Sequence, residues 1–259
     1  MRAIAIALIV ATTALQAGQA PAPADRPVAR TDANSMTAHL QLLEKARRGH
    51  IDLYFEGDSI ARRWGATDYP EFLAHWRQRF FGWNAADFGW GADTTQNILW
   101  RLENGELDGV HPKVIVLLAG TNNVGSAPSA LPVADRADDV ARGIKAILDV
   151  MRRKTPDATI VLTAIFPRND SMAAMPVIDE INRRIALFAD GRSIRWLNVN
   201  DKLADTSGML FDGMMGDGLH PTLKGYQVWA DGLEPILLEL LGPRAADDRA
   251  PSPTGDPSK

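Results

Sequence analysis

The feature that most limits what this chain can become is a pair of continuous apolar runs, Lys113–Ala119 (KVIVLLA) and Ala158–Ala164 (ATIVLTA), set between helix-like segments. A strand with one wet face alternates apolar and polar residues, whereas a strand buried on both faces does not. Three shorter segments read as further strands: Ile51–Glu56, Ala85–Phe88 and Ile194–Val199. Helices are predicted from Ser35 or Thr37 as cap to about Arg48, with Gly49 as the stop, and over Asp68–Phe81, Thr94–Glu103, Val133–Lys154, Met175–Ala189 and Thr222–Leu241. Strands alternating with helices predict an α/β domain whose five-stranded parallel sheet is covered on both faces. Ligands of such sheets bind beyond the carboxyl ends of the strands. The polar residues that follow each strand are therefore the place to look for chemistry.

The 259 residues suffice for one sizeable domain. Residues 35–242 carry the pattern. Residues 1–20 have the layout of a secretory signal peptide: Arg2, an apolar run from Ala3 to Leu15, and small residues Gly18 and Ala20 before a cut. The apolar run is shorter than the ~20 residues of a membrane span. The expected mature protein is soluble, without a stable span, and periplasmic or secreted. Residues 21–34 and 243–259 are rich in Pro, Ala and charge, and are expected to be a flexible leader and a disordered tail. A formal charge of -4 offers no basic surface for nucleic acid. The absence of cysteine excludes disulfides, thiolate zinc sites and a cysteine nucleophile.

Three strand ends carry unusual polar residues, and the topology brings all three to one rim. Gly57-Asp58-Ser59 follows the first strand, Gly120-Thr121-Asn122-Asn123 the third, and Gly216-Asp217-Gly218-Leu219-His220-Pro221 the fifth. Ser59 in a strand-to-helix turn is either an exposed nucleophile or a helix cap. Asp217 and His220, three apart, allow a carboxylate to hold one imidazole nitrogen while the other faces a serine; singly, each also suits a surface loop. Asn122 is either an oxyanion donor or a turn asparagine. Their joint order, Ser, Asn, Asp, His, favours acyl transfer.

These blocks resemble the SGNH, or GDSL, hydrolase superfamily, with Ile60 where the name has Leu. The run from Phe88 through Gly89-Trp90-Gly91-Ala92-Asp93-Thr94 to Leu107 is similar to the catalytic subunits of platelet-activating-factor acetylhydrolases and their bacterial relatives. The resemblance covers roughly 53–241. It implies a flavodoxin-like three-layer sandwich and a serine esterase for short acyl, above all acetyl, esters that works through an acyl-serine. Neither metal nor cofactor is implied. It assigns Ser59, Asp217 and His220 as the triad, and Ser59 N–H, Ala92 N–H and the Asn122 side chain as the oxyanion hole. Ala92 departs from the family, which has glycine there, and a left-handed backbone at that position would make alanine costly. The relatives also make a homodimer one arrangement to consider. An acyltransferase and a non-catalytic carbohydrate- or flavin-binding protein are the competing functions on this fold.

Trp64 and Trp90, which follow two of the blocks, are candidates to line the substrate pocket. Trp100, Trp196 and Trp229 are expected in the core, and Asp58 and Asp93 are expected to tie down the site's backbone. His39, His50, His75 and His111 have no partner at metal-ligand spacing and are expected at the surface or as caps. Neither a P-loop lysine nor GxGxxG is present.

Overall fold

The computed structural model describes residues 22–126 and 129–259. Along the chain run α1 (Ala33–Ala46), β1 (Leu53–Gly57), α2 (Ser59–Gly65), α3 (Pro70–Phe80), β2 (Ala85–Asp87) and α4 (Thr95–Arg101). Then follow β3 (Val114–Leu118), α5 (Thr121–Val124), α6 (Val133–Lys154), β4 (Thr159–Thr163), α7 (Met175–Ala186), β5 (Ile194–Leu197) and α8 (Leu223–Leu241). The five strands form one sheet in the order β2-β1-β3-β4-β5, and every neighbouring pair is parallel. This is the doubly wound, flavodoxin-like order, in which the direction of winding reverses between β1 and β3. Ser59 and Asn122 follow those two strands and so flank the crevice that the reversal opens.

Alternation within the strands divides two apolar layers. Tyr54, Ile115, Leu117, Ile160 and Leu162 face a core completed by α1, α4, α6 and α7 through residues such as Leu42, Ile98, Ile147 and Ile181. Leu53, Phe55, Val114, Val116, Leu118 and Val161 face the other, completed by α2, α3 and α8. That second layer is aromatic. Trp64 stacks on Tyr226 at 4.8 Å and meets Trp76, Phe80 and Trp229 within 5.6 Å. Of the tryptophans expected in the core, Trp229 is fully buried, while Trp100 and Trp196 are half-buried.

Both ends of the described chain depart from the reading of composition. The leader is bonded to the body. Ala24 is fully buried, its carbonyl accepts from the Thr95 hydroxyl at 2.8 Å, and Val28 N–H donates to Gln96 O at 3.0 Å. Helix α1 begins two residues before Ser35, because Asp32 caps it by accepting from Ser35 N–H. The tail is likewise no disordered segment. Ala245 N–H donates to Gly82 O, His50 N–H to Arg249 O, Thr67 N–H to Thr254 O and Asp256 N–H to the Asp68 carboxylate. A Pro- and charge-rich segment lacks apolar periodicity, but it can still be held by backbone hydrogen bonds to turns of the body. The predicted signal segment, 1–20, lies outside the described residues. No described helix is long and apolar enough to cross a membrane.

Candidate active site

Four chain segments meet at the carboxyl edge of the sheet. Asp58 ends the first of them as the N-cap of α2, accepting from Ile60 N–H at 2.9 Å. Ser59 thus opens a helix, where backbone N–H groups have no intrahelical acceptor and the helix dipole favours negative charge. Its Oγ lies 2.9 Å from His220 Nε2, and His220 Nδ1 lies 2.7 Å from Asp217 Oδ2. Partial burial resists ionisation of Asp217. The N–H groups of His220 and Leu219 together with the imidazole outweigh it and hold the carboxyl down at about 2. An ionised Asp217 accepts a hydrogen bond from Nδ1–H, which leaves Nε2 as acceptor for the Ser59 hydroxyl. Burial pulls the imidazole below its ordinary range; the Asp217 carboxylate opposes this and the Arg63 guanidinium adds to it. Arg63 lies 3.7 Å from Asp217.

The aspartate–histidine turn rests on the segment after β4. Gly218 O accepts from Asn169 N–H at 2.7 Å, and Asn169 also donates through Nδ2 to Gly208 O and accepts from Leu210 N–H. Gly218 has φ 78°, and a Cβ there would sit 2.7 Å from Asp170 N. Only glycine fits this contact.

On the other side of Ser59, the segment Gly89–Asp93 carries Ala92 at φ 64°, a left-handed conformation that a side chain rarely adopts. The alanine is therefore held against its preference. What holds it is a set of bonds around it. Asp93 O accepts from Asn122 Nδ2 at 2.9 Å, and Gly91 O accepts from Arg30 of the leader at 3.2 Å. Arg101 reaches both ends of the segment, donating to Phe88 O at 2.9 Å and to the Asp93 carboxylate at 2.7 Å. Asn123 fixes the neighbouring turn by accepting from Thr95 N–H at 2.9 Å.

Arg101 is the centre of a buried ionic cluster that sequence reasoning missed. Its guanidinium also pairs with Glu56 at 2.7 Å and with Glu106, which His39 Nδ1 meets at 2.7 Å. Three carboxylates thus share one guanidinium away from water. Burial raises Glu56, and Glu106 and Asp93 add to that against the pull of Arg101. Burial likewise lifts Asp93, to about 6, and Asp58, to about 6. The one sequence signal was a pair of charges, Glu56 and Arg101, standing inside otherwise apolar patterns.

Trp64 does not line the site. It is fully buried in the aromatic layer, and its Nε1 donates to His75 Nδ1 at 3.0 Å. Trp90 is also buried; it turns toward α1, donating to Ser35 Oγ at 3.0 Å, with Arg62 over its ring. The expectation of surface histidines holds for His50 and His111, but His39 is buried on Glu106 and His75 bridges Trp64 and Gln227.

The model of the GDSL-like lipase/acylhydrolase family matches residues 55–228. The chain belongs to that family. It is an ester-cleaving hydrolase of the SGNH/GDSL superfamily. The alpha1 subunit of platelet-activating factor acetylhydrolase IB from Bos taurus is 30% identical over 244 residues, covering 91% of this chain and 97% of the relative. The alpha2 subunit from Rattus norvegicus is 28% identical, covering 80% and 84%. Among solved structures, a putative acylhydrolase from Bacteroides fragilis superposes with a TM-score of 0.63 at 20% identity, covering 82% of this chain and all of that one. A protein described as a putative platelet activating factor, from Streptococcus pneumonia, gives a TM-score of 0.59 at 22% identity, covering 79% and 92%. At those identities the two structures speak for the fold.

Proposed function

We propose that this acylhydrolase is a serine esterase for short-chain acyl esters, acetyl esters foremost, acting through an acyl-serine intermediate. The observation that carries the reading is the unbroken contact from Asp217 through His220 to Ser59 Oγ. The acetylhydrolase names of its relatives support the choice of acyl group. In this reading His220 Nε2 takes the Ser59 proton as Oγ attacks the ester carbonyl carbon. The oxyanion is received by Ser59 N–H, Ala92 N–H and Asn122 Nδ2. His220 then gives the proton to the departing alkoxide, and a water deprotonated by the same nitrogen releases the acid and frees Ser59. Each oxyanion donor contributes roughly 3 kcal/mol to lowering the barrier. The apolar segment Ala3–Leu15 supports work outside the cytoplasm.

Ser59→Ala tests the assignment. It is expected to lower kcat for 4-nitrophenyl acetate about a thousandfold or more while the thermal unfolding curve stays in place. Activity retained in that variant refutes it.

A further inference from the structure

We infer that the cleft on the His220 side of Ser59 is the subsite for the alcohol portion of the ester, and that it takes alcohols presenting an apolar face about the size of one ring. This rests on the esterase reading above. During acylation the Ser59 Oγ–carbon bond forms and the bond from the carbonyl carbon to the alkoxide oxygen breaks. The proton taken from Ser59 passes from His220 Nε2 to that oxygen, and the product leaves as a neutral alcohol. The alkoxide oxygen must therefore come within about 3 Å of Nε2.

Topology then decides where the rest of the alcohol lies. Two of the three oxyanion donors, Ala92 and Asn122, stand on segments leading into α4 and α5, on the side of the sheet covered by α4 and α6, and the third, Ser59 N–H, lies between the two sides. His220 leads into α8, on the opposite side with α2 and α3. With the carbonyl oxygen drawn to one side, the alcohol extends over the other. A cleft of about 400 Å³ is present there, reaching the site through His220 and lined by Phe72, Pro221, Leu223, Arg63 and Glu71. Its volume falls in the range of small-molecule sites, roughly 300–1,000 Å³.

The walls indicate what it takes. The Phe72 ring is held in place edge-on to Tyr226 at 5.2 Å and stacked with Tyr69 at 6.0 Å. Leu223, in the first turn of α8, stays 40% exposed, so an apolar side chain faces this opening rather than the core. The two cations at the rim are already engaged: Arg63 faces Asp217 at 3.7 Å, and Lys224 Nζ donates to Asp212 O at 2.8 Å. Glu71 and the catalytic Asp217 add carboxylates to a lining that is otherwise mostly carbon, so the recognition on offer is chiefly apolar contact, and an anionic alcohol is disfavoured.

Benzyl acetate and methyl acetate release alcohols of similar acidity, so the ratio of their kcat/KM values reports binding of the alcohol group. The wild type is expected to favour the benzyl ester. Both Phe72→Ala and Leu223→Glu are expected to cut that benzyl-to-methyl ratio about tenfold, the scale of apolar discrimination in such pockets. The ratio of benzyl butyrate to benzyl acetate is expected to stay put. Leu223→Glu places an acid at a helix N-terminus and so keeps the fold should Phe72→Ala weaken it. A benzyl-to-methyl ratio within twofold of wild type in Leu223→Glu overturns the subsite, as does a change confined to the butyrate-to-acetate ratio, which would make the cleft an acyl pocket. A wild type that hydrolyses none of these esters overturns the esterase reading itself, and the subsite with it.

Discussion

Replacing Ala92 by glycine separates the cost of the backbone from the chemistry of its N–H. Ala92 sits at φ 64° with an exposed side chain, so the methyl group makes no buried contact to lose. A left-handed conformation costs an alanine roughly 1–2 kcal/mol. Glycine escapes that cost but has the freer unfolded chain, which takes back roughly 0.5–1 kcal/mol. The balance favours Ala92→Gly by about 1 kcal/mol, which for a domain of this size raises Tm by about 2–4 °C. Because the proposed donor is the main-chain N–H, kcat for 4-nitrophenyl acetate is expected to stay within about twofold. Ala92→Val is the counterpart: a β-branched residue resists this conformation more strongly. The segment must then either strain or move the N–H. Tm is expected to fall, and kcat to drop by up to the 10²–10³-fold typical of one lost oxyanion donor. Thermal melts by circular dichroism and initial rates on the same preparations decide it. A glycine variant less stable than wild type, or a valine variant with wild-type kcat, would refute the reasoning.

Arg63 and His220 give a pH prediction. Burial and the Arg63 charge hold the imidazole below its ordinary range, so the acidic limb of kcat/KM is expected below pH 6.5. Rates rise as pH climbs through this lowered limb and His220 becomes neutral. Arg63→Gln removes a positive neighbour, and the limb should move to higher pH; a limb that stays or moves lower contradicts the assignment. Arg101→Lys keeps a charge but cannot reach Phe88 O, Asp93, Glu56 and Glu106 together. Its kcat is expected to fall more than tenfold, with KM changing less, as steady-state kinetics on 4-nitrophenyl acetate will read. Deleting residues 243–259 removes the bonds to Gly82, His50, Thr67 and Asp68 and is expected to lower Tm by several degrees, as a melt of the truncated chain will show.

Much of the site could be read before any coordinates because its residues sit at punctuation. Gly57 ends β1 and Gly120 follows β3 closely, and a parallel sheet sends those ends to one rim, while Gly216 marks the turn into α8, nineteen residues beyond the end of β5. The errors have equally local causes. Trp64 follows Ser59 closely enough to suggest a pocket wall, but it lies four residues after Ile60. On a helix that spacing puts both on one face, and Ile60 faces the core. Composition reports that the tail lacks an apolar stripe but is blind to bonds such as the one His50 N–H donates to Arg249 O. Asp93 is legible as an anchor, but its partner Arg101 is not, since a basic residue in a helix ordinarily points to water.

The ionic cluster beneath Gly89–Asp93 is expensive to maintain. One guanidinium among three buried carboxylates is a poorer source of stability than apolar residues of similar size, because desolvating the charges offsets their attraction. Its position explains what such a cluster can do that an apolar core cannot. Dispersion contacts are non-directional, whereas Arg101 spans the segment from Phe88 O to the Asp93 carboxylate with two fixed bonds, and Arg30 and Asn122 grip the carbonyls of Gly91 and Asp93 between and beside them. An alanine kept at φ 64° needs directional restraint of this kind, since relaxing to the favoured region would reorient the N–H proposed as an oxyanion donor. The cluster and the strained residue are therefore two parts of one arrangement. Glycine at position 92 should then make the restraint less necessary, so Arg101→Lys combined with Ala92→Gly is expected to lose less activity than the product of their separate effects.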